Sequence, residues 1–123
     1  MMGPGYAEDP THKVDTMRLK KRVEIFMQGE KIVETLNAIQ VNETGKSPTY
    51  YIPIEDIQDV RFIKTGELKC PYKGHANFFD IKHGSSRFEK AAWTFDRPYE
   101  EVSEIKNYIA FDPRKVQYIR ITG

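Results

Sequence analysis

A thiol, an amine and an imidazole stand together in Cys70-Pro71-Tyr72-Lys73-Gly74-His75-Ala76, and the chain holds no other cysteine. Pro and Gly among such groups mark a turn, where a chain can converge reactive side chains. Cys70 is a candidate nucleophile, with Lys69, Lys73 and His75 as positive neighbours. Against that role, Pro71 removes the following backbone N–H that often helps to build an oxyanion hole, and a buried, inert cysteine is the plain alternative. Lys73, held between Pro71 and Gly74, is placed to bind an anionic ligand or, once desolvated, to form a Schiff base. His75 is the candidate proton carrier, or simply a side chain at a strand entry. These three are the candidate catalytic residues.

Four further residues are candidates for ligand binding. Glu43 precedes a loop and is expected to enter the same pocket as Lys73 and pair with it. Tyr51, Tyr72 and Trp93 supply aromatic surface, although strand aromatics more often build core. Tyr50 and Tyr51 must face opposite ways in a strand, so only one of them can face a site. A zinc site from Cys70, His75 and His83 would have to recruit Glu43 or Asp80, and the spacing fits no standard ligand pattern. No metal is therefore assigned, and nothing in the residues names a cofactor.

The elements that must position these groups read as strands. Met1 to Lys21 holds Gly3, Pro4, Gly5 and Pro10 among polar residues and reads as a flexible tail, with His12 solvated in it. Residues 22–123 then form one domain. Val23, Ile25 and Met27, a Gln28-Gly29 turn, and Ile32-Val33 make a hairpin. Ile39 to Glu43 and Thr49 to Ile52 are strands around the loop Thr44-Gly45-Lys46-Ser47-Pro48, which lacks the first glycine and the spacing of a phosphate loop. Val60 to Ile63 is a strand closed by Thr65-Gly66. Asn77 to Lys82 and Arg87 to Phe95 pair across His83-Gly84-Ser85, which would bring Trp93 near the Cys70 turn. Asp96 as cap, Pro98 in a first turn, and Tyr99, Val102, Ile105 and Ile109 on one face predict a helix. Val116 to Ile121 is the closing strand. The fold class is mostly β: a compact antiparallel β-sandwich or barrel-like domain with one short α-helix in the C-terminal half.

The succession Glu43, Tyr50-Tyr51-x-Pro53 with Asp56, Cys70-Pro71-Tyr72-Lys73-Gly74-x-Ala76, Ala92-Trp93, Pro98 and Tyr108-Ile109-Ala110-Phe111 resembles the domain of unknown function 427 family. The resemblance runs from about Arg22 to the C-terminus, and its most specific part is the Cys-Pro-x-Lys-Gly run with the downstream Ala-Trp. It implies a tent-like pair of sheets with one helix. The family sometimes carries a nucleotidyltransferase-like label, but the Gly-Ser pair and spaced aspartates that such two-metal chemistry needs are missing here. The chain departs from the family pattern at Thr94-Phe95, where Ser-Tyr is usual, and at Phe78-Phe79, where a tyrosine is common.

Composition bounds the function. In 123 residues, 19 Lys and Arg against 18 Asp and Glu leave a net charge of +1, so no global field attracts nucleic acid or an anionic membrane. The basic run Arg18, Lys20, Lys21 and Arg22 reads as a solvated strand entry. A single cysteine and the lack of a secretory or spanning pattern point to the cytoplasm. The expected function is binding of a small polar or anionic ligand in a pocket around the Cys70 turn and Trp93, with catalysis left open. The alternative is a protein-interaction module using a sheet edge or an aromatic surface. The oligomeric state is not legible.

Overall fold

A computed structural model describes residues 2–123. Its strands are β1 (Val14–Arg18), β2 (Arg22–Met27), β3 (Glu30–Thr35), β4 (Ile39–Glu43), β5 (Thr49–Ile52), β6 (Arg61–Cys70), β7 (Gly74–His83), β8 (Ser86–Pro98), β9 (Ile109–Phe111) and β10 (Tyr118–Thr122). Seven of them form a sheet in the order β1-β4-β5-β9-β8-β7-β6, and three form a second sheet in the order β10-β2-β3. All the strand pairs are antiparallel, and neither sheet closes into a barrel among the described residues. The fold is mostly β.

Alternation along the strands sends side chains of the large sheet to two different cores. One face carries Ile52, Ile81, Ala92, Ile109 and Phe111, which pack against Val23, Ile25, Met27, Ile32 and Val33 of the small sheet. The other carries Ile39, Val41, Tyr51, Ala76, Phe95 and Ala110, joined by Val102 and Ile105. Register irregularities bend β6, β7 and β8: one in the β6–β7 pairing between Lys64 and Gly66, two in β7–β8 between His75 and Ala76 and between Phe79 and Ile81. Asp80 secures the last of these, accepting from the Lys90 N–H (2.9 Å) and the Arg87 guanidinium (2.8 Å). Thr65-Gly66, read as the end of a strand, lies inside β6 at such a bend.

The helix predicted after Asp96 is replaced. Asp96 and Pro98 lie in β8, and only Glu100–Ile105 turns, as a 3₁₀ segment interrupted at Val102 (φ −129°, ψ 26°). The Tyr99 N–H donates to the Lys73 carbonyl (2.9 Å) and Pro98 pairs opposite Gly74, which holds the chain extended through the expected first turn. Val102 and Ile105 still face inward, but Ile109 has moved into β9 and the other core. The α-helical turn present is Gly5–Glu8.

Within the stretch read as a tail, residues 14–18 form β1 and pair with β4. Ahead of them the chain lies along the Cys70 turn. The Gly5 N–H donates to the Pro71 carbonyl (2.9 Å) and the Tyr6 hydroxyl to the Tyr72 carbonyl (3.2 Å). Gly5 is required by this close approach, since a Cβ there would stand 2.7 Å from the Tyr72 ring. No helix among the described residues is long and apolar enough to cross a membrane.

Candidate functional site

The heptad turns out to be a hairpin: Cys70 ends β6, Pro71 to Lys73 make the turn, and Gly74 opens β7. Gly74 has φ +112°, and a Cβ would lie 2.3 Å from the Arg97 carbonyl oxygen, so β8 passes where any other side chain would be. This fixes the last residue of the turn and, through it, Lys73.

From that turn a row of cross-strand neighbours crosses the face of the large sheet that the small sheet does not cover. Tyr51 is opposite Ala110, Ala110 is opposite Trp93, and Trp93 is opposite Phe78, while Leu68 faces Ala76 and Ala76 faces Phe95. Because Ala110 is small, Trp93 reaches across it and donates its indole N–H to the Tyr51 hydroxyl (3.0 Å). Tyr51 is 1% exposed, and its burial pushes its phenol well above the ordinary range, so it stays neutral. The bent sheet and the β4–β5 loop border a cleft of about 360 Å³, whose polar lining is Glu43, Lys46, Ser47, Thr49, Cys70 and Lys73, with Glu43, Lys46 and Lys73 meeting at one end. Val41, Leu68, Phe78, Trp93 and Phe95 supply its apolar walls.

Glu43 organises the polar end. Its side chain is 5% exposed; one oxygen takes the Lys73 ammonium, and the other meets the His12 ring at 2.9 Å and Lys46 at 3.5 Å. Burial by itself would raise its pKa, but the hydrogen bond and charge of Lys73, the His12 contact and Lys46 together hold it below the usual carboxylate range. His12 also stacks on Tyr72, with ring centroids 3.9 Å apart. Tyr6 meets Tyr72 in an edge-to-face arrangement at 5.2 Å, and its own hydroxyl is pushed up to about 12 by burial and by Glu101 and Glu43.

Five of the seven residues singled out from the sequence, Glu43, Tyr51, Cys70, Lys73 and Trp93, therefore line one cleft. Two do not. His75 sits on the opposite face of β7 from Ala76 and is clamped by Asp96 (2.6 Å) and Glu67 (2.9 Å), which leaves it no reach to Cys70 or Lys73 as a proton carrier. Its hydrogen bond is the main cause of a depressed Asp96 pKa. Tyr72 is taken up by Tyr6 and His12 outside the cleft lining. Among the described residues no three His, Cys, Asp or Glu side chains gather to hold a metal; His83 is engaged by Gln28 and Glu30 instead.

Sequence reasoning passed over His12, Lys46, Ser47, Thr49, Leu68, Phe78 and Phe95. Two of these, Phe78 and Phe95, are positions where the chain departs from the pattern it resembles. Strand parity from Ala76 and Cys70 would have indicated Phe78 and Leu68, and would have turned His75 away. Nothing local signals His12.

A family model described as a domain of unknown function (DUF427) matches residues 15–122. The chain belongs to this family. The match begins in β1, so the DUF427 domain takes in a strand whose sequence reads as tail. It also spans all the strands whose side chains line the cleft. No curated protein matches the chain.

Proposed function

We propose that this DUF427 domain binds a small polar or anionic molecule in the cleft between the Cys70 hairpin, Trp93 and the 44–48 loop, and that it does so in a reducing cytoplasm. The supporting observation is the composite lining: apolar walls from four strands close on a polar end where Glu43, Lys46 and Lys73 meet. An apolar pocket with a few convergent polar groups is the ordinary form of a small-molecule site. The volume, about 360 Å³, lies at the small end of the range for small-molecule pockets.

Binding is better supported than turnover. With His75 on the other face, Cys70 and Lys73 have no imidazole between them, and Lys73 is engaged by Glu43. The interaction-module reading needs a flat exposed apolar patch, whereas the built feature here is a concave cleft with a charged cluster.

A thermal-shift screen of a metabolite library tests the proposal on the wild type, Lys73→Ala and Leu68→Trp, the last placing a bulky ring at the cleft mouth. A ligand at 100 times its Kd adds about 2.7 kcal/mol of stability. Hits lost in both variants are the expected result. Hits retained in both move the site elsewhere, and a blank screen on folded protein favours the interaction module.

A further inference from the structure

We infer that the occupant of the cleft is a small aromatic monoacid, its carboxylate held by Lys46 and Lys73 and its ring laid against Phe78, Trp93 and Leu68. This rests on the small-molecule reading above and narrows it to one chemical class. The first ground is the balance of donors and acceptors. Both oxygens of Glu43 are already engaged, by Lys73 on one and by His12 and Lys46 on the other. What the Glu43 cluster offers a ligand is therefore donors, the remaining hydrogens of the Lys46 and Lys73 ammonium groups, while the lining hydroxyls of Ser47 and Thr49 can donate or accept. A ligand amine would find its acceptor taken, whereas an acceptor head is met on several sides.

The second ground is charge. Glu43, Lys46 and Lys73 are the charged groups of the lining, and they leave one positive charge in excess, enough for a single carboxylate and not for a multiply charged phosphate chain. Lys46 is the looser of the two cations, 3.5 Å from Glu43 with a side chain 62% exposed, so it can swing onto a ligand while Lys73 and His12 still hold the buried Glu43. The third ground is shape. Phe78 and Trp93, both partly exposed, meet at 6.5 Å between centroids and 47° between planes. Tilted aromatic pairs of this kind present both faces and edges to a third ring. A cleft at the small end of the pocket range suits one ring with a short acidic side chain.

Trp93 is the chain's single tryptophan and lies in the cleft wall, so its fluorescence reads occupancy directly. The probes are benzoate, phenylacetate and 3-phenylpropanoate, each with its primary amide, together with 3-phenylpropylamine and propanoate, titrated into the wild type and Lys46→Gln. At least one aromatic acid is expected to bind about tenfold or more tighter than its amide, than the amine and than propanoate, and to lose most of that advantage in Lys46→Gln. Amide or amine binding equal to the acid overturns the charge assignment while leaving the cleft a ligand site. Propanoate binding as tightly as the ring acids overturns the aromatic assignment. An acid advantage undiminished in Lys46→Gln overturns the placement of the head. If none of these probes binds but the metabolite screen yields a Lys73-dependent hit, this inference fails alone; if both are blank, it fails with the reading beneath it.

Discussion

The two faces of the seven-stranded sheet are built by the same alternation and end up with opposite properties. Toward the small sheet, Ile25, Met27, Ile32, Val33, Ile52 and Ile81 are all but fully buried, aliphatic side chains that interdigitate and leave no job for a polar group. On the reverse face Ile39, Val41, Val102 and Ile105 are joined by Tyr51, Trp93, Phe95 and the titratable Cys70, and their cover is only a short 3₁₀ segment and the N-terminal chain. Short irregular cover cannot fill a bent sheet as a second sheet does. The lesson is that the cleft exists because one face lacks a matching layer, while the other face provides the stability that makes this tolerable.

That division can be tested by substitution. Ile81→Ala, in the filled face, should destabilise by about 2–5 kcal/mol, read by urea denaturation, while Trp93 fluorescence of the folded protein is unchanged. Altered Trp93 emission in folded Ile81→Ala would mean that the faces are not independent. Gly74→Ala should cost about 1–3 kcal/mol for its φ, with a further penalty for the clash against Arg97, and should also abolish the cleft's affinity for any ligand by displacing Lys73. A smaller and pH-dependent loss is expected for Glu43→Gln, about 1–2 kcal/mol near neutral pH.

The pH dependence has a definite direction. Glu43 has a folded pKa below its ordinary 4.5, so its contribution is present above that value and is lost as pH falls through the lower, folded one. Glu43→Gln should therefore lose stability at neutral pH and show a shallower acid limb than the wild type, converging with it in strong acid. Parallel acid limbs in the two proteins would show that the Glu43 cluster is solvated and the polar end is not organised around it. The smallest effect is expected for Tyr51→Phe. It removes the acceptor for the Trp93 indole at about 1 kcal/mol, with a shift in Trp93 emission as the sharper readout.

Much of this molecule was legible because its signals are local. Alternating Val23, Ile25 and Met27 around Gln28-Gly29 gives a hairpin whatever surrounds it, and the positive φ at Gly74 follows from its place at a turn's end. The pairing of Glu43 with Lys73 was anticipated from charge and position, and the cleft brings Trp93 to the Cys70 hairpin. The helix after Asp96 misled because its cap, proline and apolar spacing are sound local signals that pairing with Gly74 overrules. His75 misled for a different reason: nearness in sequence was taken for nearness in space, although neighbours in a strand face opposite ways.

The sequence by itself determined most of the strands and turns, though not β1, β9 or the second half of β6, together with the mostly β class and the turn that carries Lys73, since alternation and turn chemistry act over a few residues. Only the tertiary structure decided which face stays open, that His12 closes on Glu43 from 31 residues away, and that Lys46 and Phe78 share a cleft with Trp93. These depend on strand order, on bulges that bend three strands and on the docking of the N-terminal chain. Each is a long-range outcome of burying one face more completely than the other, which no local pattern encodes.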